Sequence, residues 1–317
     1  MNEVEAISRL YAALAAQVHK VVVGQDQVLQ QLVAALLAGG HVLVEGVPGT
    51  AKTLLARALG RSLELSFGRI QFTPDMLPAD ITGTHIYAGD GRFRLQPGPI
   101  FNNLVLADEI NRTPPRTQAA LLEAMQEAKV TLNGETIPLP QPFMVIATEN
   151  PVEFVGTYPL PEAALDRFMV RITIAYPAPS EEVEILQRLT SAPSSETLLG
   201  QIEPVATAED VAEARRSLAR VVIRRELLQY AAQLVAATRQ DPRVRLGASP
   251  RAGVLWLQFA RAMAALQGRD FLTPDDLRDT ALQVLGHRLL LYPDARLEGD
   301  TVRDVIDAAF SSVEVPR

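Results

Sequence analysis

Apolar residues recur at helical spacing over 5–18 and again over 26–38, which predicts two amphipathic helices at the start of the chain. The pattern then shortens to apolar runs at 41–45, 69–72, 104–107, 144–147 and 170–174, with helix-forming stretches between them, the first from Lys52 to about Leu63. A strand with no polar face is one buried on both sides, so strands alternating with helices predict a five-stranded parallel sheet covered by helices on both faces. Two segments interrupt this rhythm. Around 87–93 a glycine-flanked Asp90 separates short alternating runs, and in 130–137 the pair Asn133-Gly134 does the same. Asn-Gly tolerates φ > 0 at both turn positions and is the strongest short hairpin signal. A hairpin cannot sit inside a parallel sheet, so both are expected to project from it.

Beyond Pro177 the strand signals cease, and 191–195 (SAPSS) has the composition of a connector. Helix starts follow at Thr207 with Asp210, at Ser249-Pro250 and at Thr273-Pro274, around an Ala/Leu/Val-rich stretch over 225–238. The expected organisation is an α/β domain over 1–200 and a smaller all-α domain over 201–317.

With 317 residues the chain is long enough for about two domains. Its 48% hydrophobic and 21% charged residues exclude a disordered or collagen-like chain. It has no Cys, so disulfide scaffolds and Cys-ligated metal centres are excluded. The four His residues (His19, His41, His85, His287) are too far apart for a local HxxH or HExxH site, and no protein-ligated structural metal is expected. The longest apolar run, 32–44, is broken by Gly39-Gly40-His41 and is shorter than a membrane span, which needs about 18 residues or more. The first ten residues, MNEVEAISRL, carry acids where a secretion signal has a basic start, so a soluble cytoplasmic protein is expected. The balance of 30 Lys+Arg against 37 Asp+Glu, net −7, gives little long-range attraction to nucleic-acid phosphates.

Gly46-Val47-Pro48-Gly49-Thr50-Ala51-Lys52-Thr53 follows one predicted strand and opens a helix. A phosphate-binding loop needs that order: backbone N–H groups through Leu54 face an anion, Lys52 reaches the outer phosphates, and the Thr53 hydroxyl holds Mg²⁺. Ala51 occupies the position of the last Gly of GxxxxGK[ST], and is tolerated there provided its backbone is already helical. Lys52 also sits in a first helical turn, where the helix dipole disfavours a cation by about 0.3–1 kcal/mol unless an anion is bound. Arg251, after Ser249-Pro250, repeats that violation. The strand 104–107 delivers Asp108 and Glu109 at its end, one suited to Mg²⁺ and the other to activating water; an acidic helix cap is the alternative reading. The strand 144–147 runs into Glu149-Asn150-Pro151, which on its own is an ordinary turn signal. Arg167 follows a short helical stretch, next to Asp166, with which it could simply pair.

Together these segments resemble the AAA+ ATPases and, within them, the MoxR family. GVPGTAKT (Gly46 to Thr53), LADEINRTPPRTQAALLEAMQE (Leu106 to Glu127), ATENP (Ala147 to Pro151), YPLPEAALDRF (Tyr158 to Phe168) and GASPRA (Gly247 to Ala252) stand in that family's order, and the family tends to carry Ala at the position of Ala51. The motifs cover most of 20–170 and parts of the helical region. The resemblance implies an αβα nucleotide domain with a helical lid, ATP and Mg²⁺ as ligands, and hydrolysis of ATP. It implies Lys52 and Thr53 as the Walker A pair, Asp108 and Glu109 as the Walker B pair, Asn150 as sensor 1, Arg167 as an arginine finger and Arg251 as sensor 2. Val22, Val23 and Gly24, ahead of the second helix, match the segment that packs on adenine. The two hairpins match the helix-2 and pre-sensor-1 inserts of this clade. Glu149 departs from the Gln more usual in the family. The family also implies a ring, a hexamer by resemblance, remodelling a client protein that often carries a von Willebrand A-type domain. The alternatives are the motor subunit of a metal chelatase and, from another class, a nucleic-acid motor or a scaffold that barely hydrolyses ATP.

Overall fold

The computed structural model describes residues 3–47, 49–87, 93–149, 157–191 and 194–316. Helices α1 (Glu3–Val18) and α2 (Asp26–Ala38) lead into β1 (Val42–Gly46), α3 (Lys52–Ser62) and β2 (Phe67–Gln71). A short α4 (Pro78–Thr82) precedes the hairpin β3 (Gly83–Tyr87) and β4 (Phe93–Pro97). Then come β5 (Leu104–Asp108), α5 (Pro115–Glu127), a second hairpin of β6 (Lys129–Leu132) and β7 (Glu135–Pro138), β8 (Met144–Glu149), α6 (Glu162–Leu165) and β9 (Val170–Ile174). Beyond the sheet follow α7 (Pro179–Ser191), α8 (Ser195–Leu199), α9 (Ala208–Ser217), α10 (Arg225–Gln240), β10 (Val244–Leu246), α11 (Pro250–Leu266), α12 (Pro274–Leu285), β11 (Leu290–Leu291), α13 (Pro293–Leu297) and α14 (Val302–Ser312).

The expected five-stranded sheet forms, parallel throughout, in the order β2-β5-β8-β1-β9. Alternate residues of each strand serve different cores. On one face Val42, Val44, Leu104, Leu106, Met144 and Ile146 meet α1, α2 and α3; on the other Leu43, Val105, Ala107, Val145 and Phe168 meet α5. Burial on both faces explains why these strands are apolar without alternation. β1 lies between β8 and β9, which puts its C-terminal end, and the loop after it, beside the ends of those strands, where open α/β sheets bind ligands.

Both hairpins stand apart from this sheet as separate antiparallel pairs. Asn133 and Gly134 have φ 50° and 87°, the positive values their turn requires. The tip of the first hairpin, 88–92, lies outside the described residues. The two hairpins touch: Asn133 Nδ2 is 3.2 Å from His85 Nδ1.

The C-terminal part is helical, and its helix starts are capped as expected. Thr207 and Thr273 form reciprocal capping boxes with Asp210 and Asp276, and Ser249 accepts from the Ala252 N–H. It also holds one short antiparallel pair, β10 with β11, too brief for periodicity to reveal. Trp256, fully buried on α11, donates its indole N–H to the Leu277 carbonyl and the Thr280 hydroxyl of α12, fixing those two helices together. Helix α11 packs on α1 and α2, so one continuous apolar cluster joins the lid to the sheet. Among the described residues no helix is long and apolar enough to cross a membrane.

Candidate nucleotide site

The loop between β1 and α3 bends sharply. Gly49 has φ +85° with open space where a Cβ would point, and Thr50 Oγ1 donates to the Val47 carbonyl at 3.0 Å, closing the turn on itself. Ala51 does not have the helical backbone expected of it. It is the N-cap of α3 with φ 58° and ψ 21°, in the left-handed region. Non-glycine residues pay about 1–2 kcal/mol for that conformation, and strain of this kind collects at binding sites. No side chain caps α3, and its first turn carries no acid. An uncapped helix start behind a sharp turn is a ready anion site.

Lys52 is the first residue of α3, and its Nζ donates to the carbonyls of Gly46 and Val47 at 2.5 and 3.2 Å. The acceptors are the last residue of β1 and the first of the loop, so the ammonium folds back over the start of the loop. Burial pulls the Lys52 pKa down, while the nearby charges of Asp108 and Glu109 act in the opposite direction. These two carboxylates from β5 are therefore close enough to feel the lysine. Thr53 follows in the same turn, half-buried. Pro48 lies outside the described residues.

Asp108 ends β5 and is only 7% exposed. Arg69 Nε donates to its Oδ2 at 2.8 Å, and the Thr148 hydroxyl to its Oδ1 at 3.3 Å. Glu109 has φ 58°, a second strained non-glycine residue. Its N–H donates to Thr148 Oγ1 at 2.9 Å, while its carboxylate accepts from Gln71 Nε2 at 3.2 Å and pairs with Arg112 at 3.1 Å. The two carboxylates thus have different side-chain partners, while Thr148 Oγ1 joins the Asp108 carboxylate to the Glu109 backbone. Glu109 opens a 3-10 turn (Ile110–Arg112) rather than capping a regular helix with its side chain, so the acidic-cap alternative does not describe it.

An apolar cleft adjoins the loop. It is lined by Val22, Val23, Ala51, Leu54, Ile185 of α7 and Leu198 of α8, among others. Gly24 does not line it; this residue (φ +63°) packs on the carboxylate of Glu181, where a Cβ would collide.

Arg167 and Arg251 sit elsewhere. Arg167 is half-buried just before β9; its N–H donates to the Ala164 carbonyl at 3.1 Å, and its side chain has no hydrogen bond or ion pair among the described residues. The expected alternative, pairing with Asp166, is not formed; Asp166 instead meets Arg288 at 2.8 Å and Arg251 at 3.9 Å. Arg251, in the first turn of α11, thus reaches back from the lid to the sheet domain. Asn150 lies outside the described residues, directly after Glu149. Glu149 itself pairs in register with Glu45 of β1; burial and the Glu45 charge push its pKa up to about 7, with Arg171 opposing.

Four residues at the site escape the motif pattern. Arg69 and Gln71 could have been found from the alternation along β2, an edge strand whose polar residues share one face. Thr148 lies inside ATENP, but its letter does not say that its hydroxyl bridges two acids. Arg188 lines the apolar cleft and donates to the His19 carbonyl at 2.6 Å; nothing in its helical segment distinguishes it from a surface cation.

This sheet order, loop and lid define a P-loop nucleotide-binding architecture, and comparison with known proteins places it more narrowly. Residues 41–170 match the ATPase family associated with various cellular activities (AAA), and 236–309 match the AAA lid domain. The Bacillus subtilis protein YeaC is 46% identical over 94% of this chain and 92% of its own length. Chaperone MoxR1 of Mycobacterium tuberculosis is 41% identical over 95% of this chain and 81% of its own. The crystal structure of a candidate ATPase from Cytophaga hutchinsonii superposes with a TM-score of 0.92 at 39% identity, covering 99% of this chain and 97% of that one. The chain belongs to the MoxR family of AAA+ ATPases.

Proposed function

We propose that the protein hydrolyses ATP and uses the cycle to remodel or mature a partner protein, as a ring of identical subunits, in the cytoplasm. The observation that carries the first part is Lys52, whose ammonium is curled over an uncapped helix start and stays within the field of Asp108 and Glu109. Residues 1–200 would form the nucleotide domain and 201–317 the lid.

The donors and acceptors fit ATP with Mg²⁺. The N–H groups of Gly46, Val47 and Gly49 to Leu54 would face the phosphates, and Lys52 would exchange its two carbonyl partners for phosphate oxygens. Val22, Val23 and Leu54 offer apolar contact to a base, with Gly24 setting the course of that segment. Thr53 and Asp108 would hold Mg²⁺, which supplies charge neutralisation along the phosphates when bound. Glu109 accepts a proton from the attacking water, its carboxylate freed from Gln71 and Arg112 for that role. Asn150 orients the same water, and Arg251 turns from Asp166 toward the outer phosphate. The Arg167 side chain has no partner among the described residues, which supports its acting on the nucleotide of a neighbour, where such a finger contributes about 10³–10⁵ in rate.

The partner-directed part is supported by the name of the Mycobacterium tuberculosis relative, a chaperone, and by the two projecting hairpins, the first of which carries the exposed Tyr87 and Phe93. A client with a von Willebrand A-type domain is the family-level proposal. Affinity capture with the Glu109→Gln variant in ATP tests it: the expected result is a specific protein released on washing with ADP, and a protein retained equally by Lys52→Ala would contradict it.

A further inference from the structure

Arg288 belongs to the lid, in the turn Gly286–Arg288 after α12, yet its guanidinium enters the nucleotide domain with only 3% of the side chain exposed. Nε donates to Asp166 Oδ1 at 2.8 Å. Nη2 donates to the backbone carbonyls of Asp166, at 3.2 Å, and Phe168, and Nη1 to those of Met169, at 3.2 Å, and Val284. The neighbouring His287, with its Nε2 3.1 Å from the Phe168 carbonyl, adds a second contact there. Most of these acceptors are backbone oxygens, so the cluster fixes a path of the chain rather than merely pairing charges. That path contains Arg167. The residue before it is held by side chain and carbonyl, and the residue after it by its carbonyl and by a ring fully buried in the sheet core. Arg251, at the start of α11, reaches the same Asp166 at 3.9 Å.

We infer that Arg288 is a positioning residue for Arg167: through it the lid sets the turn 166–169, and with it the point from which Arg167 reaches the nucleotide of the adjacent subunit. This rests on the proposal that Arg167 acts in trans. A guanidinium can serve several diverging carbonyls because its donors are fixed in a plane; a lysine ammonium cannot. A residue that only stabilised its own lid would damage the site of the subunit carrying the substitution. A positioning residue damages the neighbour's site and leaves its own intact.

Mixed assemblies separate the two. Arg288→Lys alone should lower ATP turnover by about tenfold or more, within the range of a misplaced finger. Mixing it with Glu109→Gln subunits, inactive at their own site but with an intact finger, should restore turnover well above the average of the two pure proteins. Arg167→Ala mixed with Glu109→Gln is the reference and should recover in the same way. Recovery of the Arg167→Ala mixture without recovery of the Arg288→Lys mixture overturns the inference alone. Failure of both overturns the trans reading and the inference with it. Asp166→Asn, which leaves Arg288 its carbonyl partners, carries the same expectation and substitutes should Arg288→Lys fail to fold.

Discussion

The hydroxyl of Thr148 lies 3.3 Å from Asp108 Oδ1 and accepts the Glu109 N–H at 2.9 Å, so a single side chain of β8 ties together both acids at the end of β5. It is buried, and one atom fixes a carboxylate and the strained backbone next to it. Thr148→Val keeps the volume and removes both bonds. Loss of a buried hydrogen bond costs about 1–3 kcal/mol where a partner is left unsatisfied. We expect lower stability by that amount in urea, and a larger fall in the turnover of ATP than in its binding, because Glu109 loses its anchor. Equal turnover in the variant would contradict this role.

A second prediction concerns Ala51. Its left-handed backbone costs about 1–2 kcal/mol, and Gly relieves this while adding about 0.4–1 kcal/mol of unfolded-state entropy. Ala51→Gly should therefore raise stability by about 0.5–1 kcal/mol in urea denaturation. A destabilised variant would show that Ala51 is not strained in the folded protein.

Stability should also depend on pH in opposing ways. His41 is buried, with Nε2 on the Met125 carbonyl and Nδ1 accepting the Val145 N–H, and burial lowers its pKa to about 4. As pH falls below 6.5 the unfolded chain takes up this proton and the folded chain does not, so stability falls toward pH 4. Glu149 runs the other way. Its folded value of about 7 stands above the ordinary 4.5, so as pH rises from 4.5 to 7 the unfolded chain loses a proton that the fold retains, and stability falls. Between pH 4.5 and 6.5 the two slopes cancel. Glu149→Gln removes one of them, and the stability it gains should be about 2 kcal/mol greater at pH 7.5 than at pH 5. A gain independent of pH would place the Glu149 proton elsewhere.

The sheet was legible because its strands are buried on both faces and read as unbroken apolar runs, and the loop because its residue types follow in order from strand to helix. Local dihedral angles are not written in letters; Ala51 reads as a helix former and sits in the left-handed region. Nor are long-range partners. Arg69 meets Asp108 across 39 residues of sequence and Arg288 meets Asp166 across 122, so neither pairing has a spacing that could announce it. Asp166 next to Arg167 suggested a local pair, and the lid arginines took that carboxylate instead. The role expected of Asn150, with Pro48 and the tip of the first hairpin, falls outside the described residues.

Titration calorimetry of ATP with Mg²⁺ into the wild-type protein, Glu109→Gln and Lys52→Ala tests the central claim most directly. Wild type and Glu109→Gln should bind alike, and Lys52→Ala should bind at least about tenfold more weakly, the loss of one charge-assisted phosphate contact. No binding by the wild-type protein, or undiminished binding by Lys52→Ala, would contradict the claim that a triphosphate occupies the start of α3.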